Sequence, residues 1–184
     1  MAEKKEKIPG ILIALTVIII TEILFFSGII SAYVIAASKA QNWPPIDQPR
    51  LPLSWSMTNM LILVASGIFM YLFVKSVKNN AKKMHLLILT ILLAIIFLAI
   101  QGSEWVNLVN FGAQNSDGLY ASYFYSIIGL HGVHALFGLI LLVVLFFKSK
   151  SNTEISINGT RAVGYFWSFV CILWPILYYL IYMY

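Results

Sequence analysis

Four ionisable side chains lie inside long apolar stretches of this 184-residue sequence: Glu22, Glu104, His131 and His134. Carboxyl and imidazole groups accept and release protons in catalysis and in relays. In a hydrocarbon setting they are costly, and so they turn inward and find partners. His131 and His134 are three residues apart, which puts them on one face of a helix. A carboxylate from another segment, Glu22, set beside that face would satisfy both groups away from water. Two readings of such a pair stay open: a structural hydrogen bond that locks two helices together, or a proton-exchanging or regulatory pair. Metal chemistry fits less well. Three histidines are too few for a multi-histidine di-iron site. His131 and His134 share a face and cannot be axial ligands on opposite sides of a haem, and His85 lies at the wrong depth to join them. No haem or redox metal is expected on this chain. The single cysteine, Cys171, makes no intrachain disulfide. No P-loop, GxGxxG or zinc-type cysteine spacing is present.

The elements that must carry these groups follow from composition. Hydrophobic residues make up 60% of the chain and charged residues 10%. A bilayer accommodates that balance, because a spanning helix needs about 20 mostly apolar residues. Apolar runs fall at about 10–37, 57–75, 84–106, 122–147 and 161–183. The fold expected is therefore an all-α membrane bundle of five transmembrane helices, forming a single domain over 1–184. A cleaved signal peptide is the rival reading of the first run, which is longer than a signal core of roughly 7–15 residues.

The connections differ in chemistry. The first holds Trp43-Pro44-Pro45, Pro49 and Pro52, a density of proline that favours a stiff extended loop. The second is short and basic, with Lys75, Lys78, Lys82 and Lys83. Together with Lys4, Lys5 and Lys7, and with Lys148, Lys150 and Arg161, these put most of the basic residues on one side of five spans. Only Lys39 and Arg50 fall on the other. By the positive-inside rule the N-terminus is cytoplasmic and the C-terminus outside. The net charge of +5 then needs no nucleic-acid partner.

This topology places the candidate groups by depth. Glu22 lies about 12 residues into the first span, roughly 18 Å from the inner surface. His134 is at similar depth in the antiparallel fourth span, and His131 one turn nearer the outside. His134 is thus the first candidate partner for Glu22 and His131 the second. Glu104, followed by Trp105, sits near the outer end of the third span and reads as a carboxylate at the water boundary. Arg161 opens the last span at the inner surface, where it is either a lipid-phosphate ligand or a plain anchor. Gly28 with Ala32, and Gly129, Gly132 and Gly138, are small residues that permit close helix approach.

These residues, taken in order, resemble subunit III of cytochrome c oxidase, in the haem–copper oxidase superfamily. Thr21-Glu22-Ile23-Leu24-Phe25-Phe26 is similar to that family's Ser/Thr-Glu-x-x-x-Phe segment. Trp43-Pro44-Pro45 matches its loop, and Asn59 with the Ser66 region fits its next helix. Gln101-Gly102-Ser103-Glu104-Trp105 resembles Gln-x-x-Glu-Trp/Tyr. The most specific stretch is Gly129-Leu130-His131-Gly132-Val133-His134 with Gly138, which resembles Gly-x-His-Gly-x-His-Val-x-x-Gly. One departure is clear: where the family has Trp-His-Phe-Val-Asp-x-x-Trp, this chain has Trp167-Ser168-Phe169-Val170-Cys171-Ile172-Leu173-Trp174.

The resemblance implies the short five-helix bacterial form, a multi-pass protein of the bacterial plasma (inner) membrane. It implies a non-catalytic subunit of a respiratory terminal oxidase. Haem and copper would lie on partner subunits, with subunit I and subunit II as neighbours, and electrons would pass from cytochrome c or quinol to oxygen. It also implies bound phospholipid, with Arg161 and Trp43 as the lipid-binding candidates, support of proton uptake, and room for a larger respiratory supercomplex. Two alternatives stay open. One is a subunit III-like protein of a nitric oxide reductase. The other is a stand-alone transporter or proton channel, against which stand the lack of an inverted repeat and of paired broken spans.

Overall fold

A computed structural model describes residues 9–43, 53–115, 119–151 and 156–183. The proline-rich connection from Pro44 to Pro52, the N-terminal lysines, Asp117 and Asn152 lie outside these residues. Five helices follow one another: α1 Gly10–Lys39, α2 Leu53–Lys78, α3 Met84–Asn115, α4 Leu119–Lys150 and α5 Ile157–Tyr178. A π-helical turn, Tyr179–Met183, continues α5 beyond Pro175. There is no strand among the described residues, and all five helices are long and apolar enough to cross a membrane. Helical geometry outruns the apolar run in α3, continuing through Asn107 and Asn110 to Asn115.

Local chemistry sets the ends. Pro9, with φ −60° and ψ 135°, precedes α1, and its carbonyl accepts from Leu12 N at 2.9 Å. The α2–α3 turn passes through Asn80 at φ 56°, a left-handed conformation that asparagine tolerates better than most residues. Ser76 ties that turn down: its Oγ donates to Phe73 O at 2.8 Å and accepts from Lys83 N at 3.2 Å. Ser156 caps α5, accepting from Gly159 N at 3.4 Å.

Helices α2 to α5 interlock. Trp167 of α5 donates from Nε1 to Ser66 Oγ of α2 at 3.1 Å, and Ser66 donates on to Thr90 O of α3 at 2.9 Å. These hydrogen bonds satisfy the Trp167 indole N–H and the Ser66 hydroxyl where bulk solvent does not reach, which is what makes their burial tolerable. Small residues let the backbones close. A Cβ at Gly138 would stand 2.6 Å from the Trp167 ring, and one at Gly164 2.8 Å from Val74. At Gly67 it would meet the Cys171 sulfur at 3.1 Å. Gly28 and Gly132 have open space where a Cβ would be, so these two glycines do not mediate close packing among the described residues.

Helix α1 is different. It rests mainly on α4 and α5 and buries Phe26, Tyr33 and Ala37, whereas α5 buries twelve residues.

Candidate functional site

Glu22 and His134 meet between α1 and α4. His134 Nε2 lies 3.1 Å from Glu22 Oε2, with the imidazole 16% and the carboxyl side chain 28% exposed. The other ring nitrogen, Nδ1, lies 2.7 Å from Leu130 O. A carbonyl oxygen can only accept, so Nδ1 carries a hydrogen. One further proton then sits between Nε2 and Oε2. With it on oxygen the pair is a neutral acid and a neutral imidazole; with it on nitrogen it is an ion pair. Either form satisfies both groups, so the pair can change state without losing its hydrogen bond. Phe26 and Phe169 stand edge-on to the His134 ring at 5.4 and 6.5 Å and shield its flanks.

His131 does not join them. It is fully buried on the side of α4 that faces α3 and α5, with Trp174 stacked on its ring at 4.8 Å and Phe97 edge-on at 6.2 Å. The alternative pairing of Glu22 with His131 is therefore not what the packing presents. Three residues on a helix leave about 60° of rotation between side chains. That is enough to send one histidine toward α1 and the other into the core.

Glu104 lies at the far end of the bundle from the lysine-rich turn, half-buried rather than at a bare water boundary. Three side chains donate to its carboxylate. Ser56 Oγ reaches Oε1 at 3.1 Å, and Gln101 Nε2 and Tyr182 OH each reach Oε2 at 3.5 Å. Asn59 Nδ2 in turn donates to Gln101 Oε1 at 3.2 Å. Ser56 and Tyr182 did not stand out in the sequence. A signal was present, because Ser56 and Asn59 on α2 share the spacing of Gln101 and Glu104 on the antiparallel α3.

At the lysine-rich end, Arg161 and Lys78 line a cavity of about 590 Å³ together with Pro9, Asn80, Ile157 and Asn158. The mouth of this cavity brings together the start of α1, the end of α2 and the start of α5. Trp43 lies at the opposite end, half-buried in an aromatic cluster. Its Nε1 donates to Tyr33 OH at 3.1 Å and its ring meets Tyr120 edge-on at 5.2 Å. No group of three or more His, Cys, Asp or Glu side chains is placed to hold a metal ion among the described residues.

Comparison with known proteins gives one consistent result. The family model "Cytochrome c oxidase subunit III" matches residues 3–184. A cytochrome c oxidase subunit 3 from Synechocystis sp. is 32% identical over 170 residues, covering 90% of this chain and 72% of the relative. A probable cytochrome c oxidase subunit 3 from Nocardia farcinica is 33% identical over 159 residues, 84% of this chain and 78% of the relative. The Bos taurus cytochrome c oxidase subunit 3 is 31% identical over 183 residues, 94% of this chain and 69% of the relative.

Proposed function

Because this chain belongs to the cytochrome c oxidase subunit III family, a haem–copper oxidase component, we propose that it buttresses the catalytic subunit of a bacterial terminal oxidase and sustains its proton uptake. The reading places it in the plasma membrane, against subunits I and II, with haem and copper on those partners. The basic residues gathered at the turn of Lys75, Lys78, Lys82 and Lys83 support a cytoplasmic placement of that end, and with it N-terminus in and C-terminus out.

The observation that carries the role is the Glu22–His134 pair. It joins α1 to the rest of the bundle with a single proton that either partner can hold. Moving this proton within the pair leaves the proton count unchanged. A second proton taken from outside the pair gives a neutral acid beside an imidazolium whose Nε2–H and Nδ1–H still have their acceptors, so a proton can be held there and later released without rearrangement. The chemistry of dioxygen reduction needs redox centres, and those are assigned to the partner chains.

Lipid binding is proposed at both ends. Arg161 offers a fork of donors that suits a phosphate, and Lys78 adds a second positive charge to the same cavity. Trp43 presents an amphipathic ring at the opposite interface.

The test is affinity capture of this chain in mild detergent, with a haem spectrum of what comes with it. Co-purification with a haem- and copper-containing oxygen-reducing subunit is expected. Capture of a nitric oxide-reducing partner alone, or of the chain alone with transport activity in liposomes, would overturn the proposal. For the lipid site, phospholipid retained per complex is expected to fall in Arg161→Ala. Unchanged phospholipid content would contradict it.

A further inference from the structure

Three buried side chains in the α2–α5 core have polar atoms without a hydrogen-bond partner among the described residues. They are Asn59 Oδ1 on α2, both nitrogens of His131 on α4, and Trp174 Nε1 on α5. Each of the three residues is 0% exposed. All three residues adjoin Phe97 of α3. Its ring stands 6.2 Å from His131 and 5.3 Å from Trp174, and its carbonyl accepts from Asn59 Nδ2 at 3.4 Å.

Side chains alone do not resolve this cluster. The His131 and Trp174 rings are stacked at 4.8 Å with 26° between their planes. Ring N–H bonds lie in the ring planes, so neither ring can donate to the other's nitrogen. A buried polar atom left unmatched costs about 1–3 kcal/mol. Unmatched atoms on three residues that all adjoin Phe97 therefore point to small polar occupants. The demand is also balanced: Trp174 Nε1 can only donate, Asn59 Oδ1 can only accept, and a neutral imidazole offers one of each. A cation is not served by a single imidazole and an amide oxygen beside an indole N–H. An anion finds no positive charge here.

We propose that Asn59, His131 and Trp174 bind ordered water in the core of the bundle. This water extends the chain from Asn59 through Gln101 to Glu104, and so links His131 to the end of the molecule where Glu104 lies. The site is separate from the Glu22–His134 pair and does not depend on the oxidase assignment.

Hydroxyl-radical footprinting by radiolysis of water tests it, because bound water generates radicals beside residues that bulk solvent does not reach. The chain carries its own control. Trp167 is also 0% exposed, but its Nε1 is occupied by Ser66 Oγ at 3.1 Å. In the intact complex, Trp174 is expected to be labelled several-fold faster than Trp167. Equal protection of the two indoles would overturn the proposal. In His131→Phe, which keeps a flat ring and removes both nitrogens, Trp174 labelling is expected to fall toward the Trp167 rate. Undiminished labelling there would count against the assignment of His131 to the site. If that variant does not fold, the comparison of the two tryptophans in the unaltered protein still decides the matter.

Discussion

Helices α1 and α5 are both long and apolar enough to cross a membrane, and they are attached by opposite means. Helix α5 is gripped along its length: Trp167 and Trp174 are fully buried, Gly164 lets Val74 close in, and Ser66 holds the Trp167 indole. Helix α1 turns most of its apolar side chains outward, with Ile11, Ile13, Val17, Ile20 and Leu24 each about half or more exposed. Beyond the packing of Phe26 and Ala37, it is fastened by the Glu22–His134 pair and by the Tyr33–Trp43 cluster against α4. Lipid tails are as apolar as leucine, so burial of apolar surface does not drive helices together in a membrane. Close backbone approach and polar bonds do, and α5 has both while α1 has chiefly the second. The contrast implies a rigid unit of α2–α5 with a separately adjustable α1.

The largest effect should come from breaking the rigid unit. In Gly138→Ala the new methyl would stand 2.6 Å from a fully buried indole that has nowhere to move. Overpacking of this kind is expected to cost about 3 kcal/mol. Thermal denaturation of the purified complex should show a large fall in Tm, and the yield of assembled complex should drop with it. A smaller loss is expected for Ser66→Ala, which removes the acceptor for Trp167 Nε1 and the donor to Thr90 O. Leaving a buried indole N–H unmatched should cost about 2 kcal/mol, read by the same melt. The smallest change is Tyr33→Phe. It deletes the acceptor of the Trp43 indole at the edge of α1 and should cost about 0.5–1 kcal/mol. That substitution should loosen α1 to proteolysis while leaving the melting of the α2–α5 unit unchanged. Equal sensitivity of both units to Tyr33→Phe would erase the distinction.

The five spans were legible in the sequence because a bilayer imposes length and composition on each of them. Depth counting set Glu22 level with His134, and their nitrogen and oxygen stand 3.1 Å apart. The direction each side chain faces was harder to obtain. His131 and His134 look like neighbours on one face, yet a small rotation separates a buried ring on Trp174 from a ring that meets α1. Glu104 read as a boundary carboxylate because its donors, Ser56 and Tyr182, come from distant parts of the chain. Tyr182 reaches it from a π-helical turn that no apolar pattern announces. The exchange of the family's aspartate for Cys171 has a packing counterpart: Cys171 is 5% exposed and its sulfur is pressed toward Gly67. A thiol fills such a gap as a small apolar group.

The claim that Glu22 and His134 fasten α1 and sustain proton delivery is tested most directly by following oxygen consumption over many turnovers in the assembled oxidase, with Glu22→Gln and Glu22→Ala beside the unaltered complex. Glu22→Gln keeps a hydrogen-bond partner for His134 and removes the exchangeable proton; Glu22→Ala removes both. The initial rate is expected to be retained in each, because the redox centres are assigned to other chains. Activity should then decay faster than in the unaltered complex. The decay should be faster still in Glu22→Ala, whose interhelical bond, worth about 1–2 kcal/mol, is lost. Immediate and complete loss of oxygen reduction with assembly intact would contradict the account, as would a working lifetime unchanged by either substitution.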